Sequence, residues 1–219
     1  MEKFPYQHRR SLRLKDYDYS LAGAYFLTIC TYDRQLLFGH ILNGEMCLND
    51  LGLIVEREWL KTPELRPKTE LDAFVVMPNH FHAILLIDDS RRGVSHTPND
   101  QSHTPKHQPN TPTQYGPTSA KQKFHSPSQT IGAIIRGFKS AVTAQINGHY
   151  STSGIHVWQR NYYEHVIRNE KGLKTIREYI VANPLQWELD LENPLIEFNS
   201  DRRVKGQAVE NNFWSKINS

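Results

Sequence analysis

Two histidines one residue apart, His80 and His82, open an apolar run that continues through Ile87, directly after a Met77-Pro78-Asn79 break. On a β-strand alternate side chains share a face, so His80 and His82 point one way and Phe81 the other. Two neutral imidazoles on one rigid strand make half of a metal site, suited to Zn, Mn, Co, Ni or Cu and, with oxygen donors, to Mg or Mn. The remaining donors must come from elsewhere in the chain. Lys174-Thr175-Ile176-Arg177-Glu178-Tyr179-Ile180-Val181-Ala182-Asn183-Pro184 offers a second set. Leu173, Ile176 and Ile180 form the core face of a helix there, with Tyr179 at its edge and Asn183 one turn further along. A hydroxyl and an amide oxygen on that face could meet a metal held by the histidines. Read locally, Tyr179 also suits the boundary of an amphipathic helix, and Asn183 a C-terminal cap before Pro184.

The elements that must bring these residues together can be read in order. Residues 1–20 are polar, basic and tyrosine-rich, an irregular lead-in. Ala24 to Thr31 is β-prone, and Leu36 to Leu48 holds short strands around the hairpin signal Asn43-Gly44. Asn49 or Asp50 caps a helix to about Leu60, which Pro63 and Pro67 terminate. Leu71–Met77 and Phe81–Ile87 read as two strands. Residues 90–127 are rich in Ser, Thr, Pro, Gln and His and read as a flexible polar insertion, too poor in apolar surface to offset the entropy of ordering. A helix follows from Ser128 to Asn147, with Ile131, Ile134, Ile135, Phe138, Val142 and Ile146 at helical spacing. His156 to Arg168 is strand-like, and Asn169 caps the helix that carries Tyr179. Without the insertion the order is βαββαβ plus a helix. The expected class is α+β: a ferredoxin-like antiparallel sheet with helices on one face, an open face or rim for binding, and an added C-terminal helix. The expected domain spans 1–195, with 196–219 a loosely ordered tail.

Three ordered blocks resemble a known family. Pro78-Asn79-His80-Phe81-His82, then Val157-Trp158-Gln159-Arg160-Asn161-Tyr162-Tyr163-Glu164-His165-Val166-Ile167-Arg168, then Tyr179-Ile180-Val181-Ala182-Asn183-Pro184 look like the REP-associated tyrosine transposases. These belong to the HUH class of single-strand DNA transposases with one catalytic tyrosine. Asp18-Tyr19-Ser20 to Thr28 also resembles the family's entry into its first strand, so the likeness covers roughly residues 15–88 and 128–188. It implies a DNA transposase or endonuclease that cleaves and rejoins single-stranded or hairpin DNA with a divalent ion, Mg2+ or Mn2+. His80, His82 and Asn183 are then the metal ligands and Tyr179 the nucleophile, leaving a covalent 5′-phosphotyrosine and a free 3′-OH. A phenol ionises near pH ~10 in water, so a metal or a nearby base must help its proton leave; Glu164 and His165 are candidates, with a cross-strand pair or core packing as the alternative for both. The alternative is a domesticated, catalytically inactive binder of hairpin DNA.

Composition allows a nucleic-acid partner without demanding one. The formal charge is +3, but from Ile131 to Ala182 there are seven Lys or Arg against three acids. Arg9, Arg10, Arg13, Lys139 and Arg160 are the expected phosphate contacts; Trp158, Tyr162 and Tyr163 could stack on unpaired bases, with core packing under the last helix the alternative for two of the three. No apolar run approaches the roughly 18–20 residues that cross a bilayer, and no signal-peptide core is present. A cytoplasmic, nucleoid-associated protein, monomer or homodimer, is expected.

Overall fold

The computed structural model describes residues 22–88, 130–150 and 154–218. The arm bearing Arg9, Arg10 and Arg13, and the 90–127 insertion, lie outside the described residues. Four strands form one antiparallel sheet in the order β4-β5-β1-β6: β1 (Gly23–Cys30), β4 (Thr69–Val76), β5 (His80–Ile87) and β6 (Tyr163–Ile167). A small hairpin of β2 (Gly39–Leu42) and β3 (Glu45–Leu48) stands apart. Its two-residue turn places Asn43 and Gly44 at φ 53° and 80°, the left-handed pair that a tight hairpin needs. The chain order and the placement of β1 and β5 at the centre are those of a βαββαβ sheet, and the fold is α+β.

Strand alternation divides the molecule into two cores. Tyr25, Leu27, Ile29, Phe81, Ala83 and Leu85 face α1 (Asp50–Leu60) and α3 (Ile131–His149). Asn49 caps α1 by accepting from the amides of Leu51 and Gly52, and Thr130 caps α3. The cap of α3 is thus two residues past the Ser128 expected from sequence. Phe81 is fully buried against Trp59 and Phe138, with ring centroids at 5.0 and 5.4 Å. Burial of such a ring contributes roughly 2–3 kcal/mol, so this face anchors β5 while leaving its alternate residues to the other side.

That other side is not open. Phe26, Ile84 and Ile167 pack against α4 (Glu170–Ala182) through Leu173, Ile176 and Ile180, and against α5 (Ser200–Ile217) through Phe213 and Ile217. Helix α4 is capped by Asn169, as its sequence predicts. Arg177 on α4 grips Asp72 on β4 with both carboxylate oxygens engaged (Nε at 2.9 and 3.2 Å). The expected loosely ordered tail is corrected at this point, since residues 200–217 form the 18-residue helix α5. Only Gly206, Phe213 and Ile217 of it are buried, an apolar pattern too sparse to announce a helix by periodicity. Strand β6 is also shorter than its sequence suggests: Trp158 makes one isolated bridge with Thr31, and regular pairing starts at Tyr163. Among the described residues no helix is long and apolar enough to cross a membrane.

Candidate metal centre and nucleophile

His80 and His82 project from the start of β5 onto the α4–α5 side, buried to 0% and 3% exposure. Each ring is fixed through Nδ1. For His82 the partner is Thr28 Oγ1 on the neighbouring strand at 2.9 Å. For His80 it is Asn79 Oδ1, also at 2.9 Å. With both Nδ1 atoms so occupied, Nε2 is the atom each ring presents to a ligand, the arrangement by which outer hydrogen bonds orient metal-binding imidazoles.

Helix α4 delivers Tyr179 to the same place. Its ring centroid lies 5.3 Å from that of His82 and 6.0 Å from Phe26, and it stacks on Phe213 of α5 at 4.1 Å. Asn183 follows one turn later, 3% exposed, its Oδ1 buried and without a hydrogen-bond partner among the described residues. Pro184 then ends the helix, lacking an amide hydrogen to continue it, and a 3-10 turn over Pro184–Leu189 leads to Asp190. His82, Tyr179, Asn183, Asp190 and, from α5, Glu210 line one cleft.

Asp190 was not singled out from sequence. It follows the 3-10 turn, where no periodicity assigns a face. Its Oδ1 accepts from the Glu192 amide at 2.7 Å, a local Asx turn that aims Oδ2 inward. Oδ2 lies 3.6 Å from His80 Nε2. Burial pushes the Asp190 carboxyl above the usual carboxylate range, against the pull of His80, with Glu192 and Glu210 adding to the rise. His80, His82 and Asp190 each bring one donor atom within 4.8 Å of the others. His80 Nε2, Asn183 Oδ1 and Asp190 Oδ2 are all buried without a hydrogen-bond partner among the described residues. Orphaned buried polar atoms are costly, and a divalent cation would satisfy them together. The residues therefore fit a metal ion.

The other expected site residues divide. Glu164 pairs with Leu27 in the β1–β6 register and so points to the α1–α3 side. It stands across the sheet from Tyr179, and its expected role as a helper of the nucleophile is corrected on that ground. His165 shares the face of Tyr179 but packs edge-on against Trp214, centroids 5.8 Å apart. Burial and the nearby Arg168 keep its imidazole below the usual range. Trp158 is 8% exposed, wedged between Phe38 and Phe138, and Tyr162 packs on the same core. Trp158 is therefore not placed to stack on a base, whereas Tyr162 is only partly buried. Lys139 donates to the carbonyls of Gln159 and Arg160 at 2.5 and 3.1 Å, and burial lowers it to about 8. It fastens the segment before β6 to α3 rather than reaching outward. Arg160 is exposed. Asn79, expected only as part of a turn, is wholly buried and donates to the carbonyls of Arg34 at 3.2 Å and Glu192 at 2.7 Å.

No protein-family model matches the chain. An uncharacterized protein of Haemophilus influenzae is 44% identical over 183 residues, covering 84% of this chain and 92% of that protein. Among solved structures, a REP-associated tyrosine transposase bound to a REP hairpin is 20% identical, covers 79% of this chain and 74% of that one, and aligns with a TM-score of 0.47. A putative transposase from Deinococcus radiodurans is 15% identical, covers 77% of this chain and 95% of that one, and has a TM-score of 0.38.

Proposed function

The chain belongs to one family with the Haemophilus influenzae protein, and from the site it carries we propose that it is a metal-dependent DNA strand transferase and endonuclease acting on single-stranded or hairpin DNA. One observation carries the reading: within a single chain, Tyr179 stands ring to ring with His82 at 5.3 Å, in the cleft that also holds Asn183 and Asp190. The first and third of the sequence blocks that resemble REP-associated tyrosine transposases supply His82, Tyr179 and Asn183 in order and support the same reaction; Asp190 lies beyond them.

Tyr179 Oη is the nucleophile. It attacks a phosphodiester phosphorus in line with the departing 3′ oxygen. An O–P bond forms to tyrosine as the P–O3′ bond breaks; the phenol proton passes to water, and the 3′ oxygen takes up a proton and leaves as a hydroxyl. The 5′-phosphotyrosine conserves the ester, so a second 3′-OH can reverse the step. A divalent ion held by His80 and His82, with an oxygen donor from the 183–190 segment, supplies Lewis-acid polarisation of the phosphate and offsets its growing charge. Asn79 Oδ1 accepts from His80 Nδ1–H and leaves Nε2 of that ring with its lone pair, and Thr28 Oγ1 engages His82 Nδ1, so that Nε2 is the nitrogen that ring presents. Phe26 and Phe213 restrict the Tyr179 ring, which reduces the orientational freedom lost on the way to attack.

Labelled single-stranded hairpin DNA incubated with the protein and Mn2+ or Mg2+ tests the reading. The expected product is a DNA–protein adduct stable to denaturant, absent in Tyr179→Phe and in His82→Ala. Hairpin binding with no adduct at any metal concentration would instead favour an inactive binder.

A further inference from the structure

Extending the site reading above, we propose that Asp190 is an anionic protein ligand completing a two-histidine, one-carboxylate centre, and that this centre selects a first-row transition cation such as Mn2+ over Mg2+.

Asp190 belongs to a closed circuit of contacts. Asp190 Oδ1 accepts from the Glu192 amide at 2.7 Å. The Glu192 carbonyl accepts from Asn79 Nδ2 at 2.7 Å, and Asn79 Oδ1 meets His80 Nδ1 at 2.9 Å. His80 Nε2 then faces Asp190 Oδ2 at 3.6 Å, too long for a hydrogen bond and open to an ion between them. Every member of the ring except the last gap is a hydrogen bond. Both sides of that gap are buried, with side-chain exposures of 0% and 7%. The turn and the strand are thus tied so that a carboxylate oxygen and an imidazole nitrogen confront each other, with His82 the third donor inside 4.8 Å.

Donor chemistry then decides the ion. Mg2+ holds its waters and favours all-oxygen surroundings at 2.0–2.1 Å, usually through carboxylates and phosphates. Imidazole nitrogens favour first-row transition ions, and a carboxylate beside two histidines is a set these ions occupy with positions left open. Tyr179 and Asn183 line the same cleft as His82 and Asp190. Asn183 offers a neutral amide oxygen, a weaker donor for a doubly charged ion than a carboxylate, so removal of Asp190 has the larger effect.

The test is metal binding to the full chain without DNA, by calorimetry with Mn2+ alone and Mg2+ alone. Wild type should bind a single Mn2+ at least ~10-fold more tightly than Mg2+. Asp190→Asn should lose more than ~100-fold in Mn2+ affinity, beyond the roughly 10–100-fold that changes to outer contacts cost. Asn183→Ala should lose less. Melting without metal shows that Asp190→Asn folds, since it exchanges a desolvated carboxylate for a neutral amide. Only its stabilisation by Mn2+ should disappear. Mn2+ affinity in Asp190→Asn within twofold of wild type, or Mg2+ binding as tight as Mn2+, overturns the proposal. Because no DNA is present, a protein that binds Mn2+ as described yet forms no adduct would refute the strand-transfer reading and leave this one standing.

Discussion

At the scale of single residues, the most consequential side chain is one with no reactive group. Asn79 is wholly buried and spends its amide on three partners: the His80 ring and the carbonyls of Arg34 and Glu192. Asn79→Ala should destabilise the fold by about 2 kcal/mol, from buried groups left without partners, as read by equilibrium denaturation. Metal affinity should fall ~10–100-fold as well, although Asn79 is itself no ligand; an unchanged affinity would show that the His80 ring is held by packing alone. His80, His82, Tyr179 and Asn183 were legible in the sequence because two regular periods place them, the strand's for the first pair and the helix's for the second. Asp190 was not, because it sits in a turn after Pro184 where nothing repeats. Glu164 misled because the sequence leaves the start of β6 undefined. With regular pairing beginning at Tyr163, parity sends Glu164 to the far side of the sheet.

At the scale of elements, α4 carries Tyr179, and the seating of this helix on the sheet decides whether that side chain reaches the histidines. Apolar packing through Ile176 and Ile180 supplies most of the attachment, and the Arg177–Asp72 pair fixes the helix laterally against β4. Arg177, chiefly by its hydrogen bonds, holds the Asp72 carboxyl below its usual range. A carboxylate whose folded value is depressed adds stability that is fully present above the unfolded value of about 3.8. That contribution fades as the pH falls through the lower, folded value. Asp72→Asn should therefore melt below wild type at pH 6–8, by an amount that salt reduces. The difference should close as the solution is taken below about pH 3.8; a gap that persists in acid would place the effect in packing rather than charge. The long segment from His156 to Arg168 shows how composition can mislead at this scale. Its aromatic and β-branched residues imply a strand, yet Trp158 and Tyr162 serve the α1–α3 core, and only Tyr163–Ile167 pairs regularly.

At the scale of the whole molecule, the sheet separates two tasks. One face, with α1 and α3, is apolar and makes the larger core; the other holds the cleft under α4 and α5. The βαββαβ order was legible because each strand and each capped helix announces itself locally, whereas α5 exposes most of its length and buries too few residues to do so. Since His82 and Tyr179 meet within one chain, mixing the Tyr179→Phe and His82→Ala variants should not restore adduct formation. Recovery of activity in the mixture would require that chains exchange their tyrosine-bearing helices.

The order in which the chain is made adds a consequence of its own. Strand β5, with both histidines, leaves the ribosome long before β6, α4, the Asp190 turn and α5, which all come from the last quarter of the sequence. The α1–α3 face can assemble around β1, β4 and β5 while those later pieces are still unsynthesised. A prematurely terminated product ending before Tyr179 would hold the histidine pair but neither the tyrosine nor the Asp190 carboxylate. Late placement of these residues thus leaves the cleft incomplete until the chain is nearly finished.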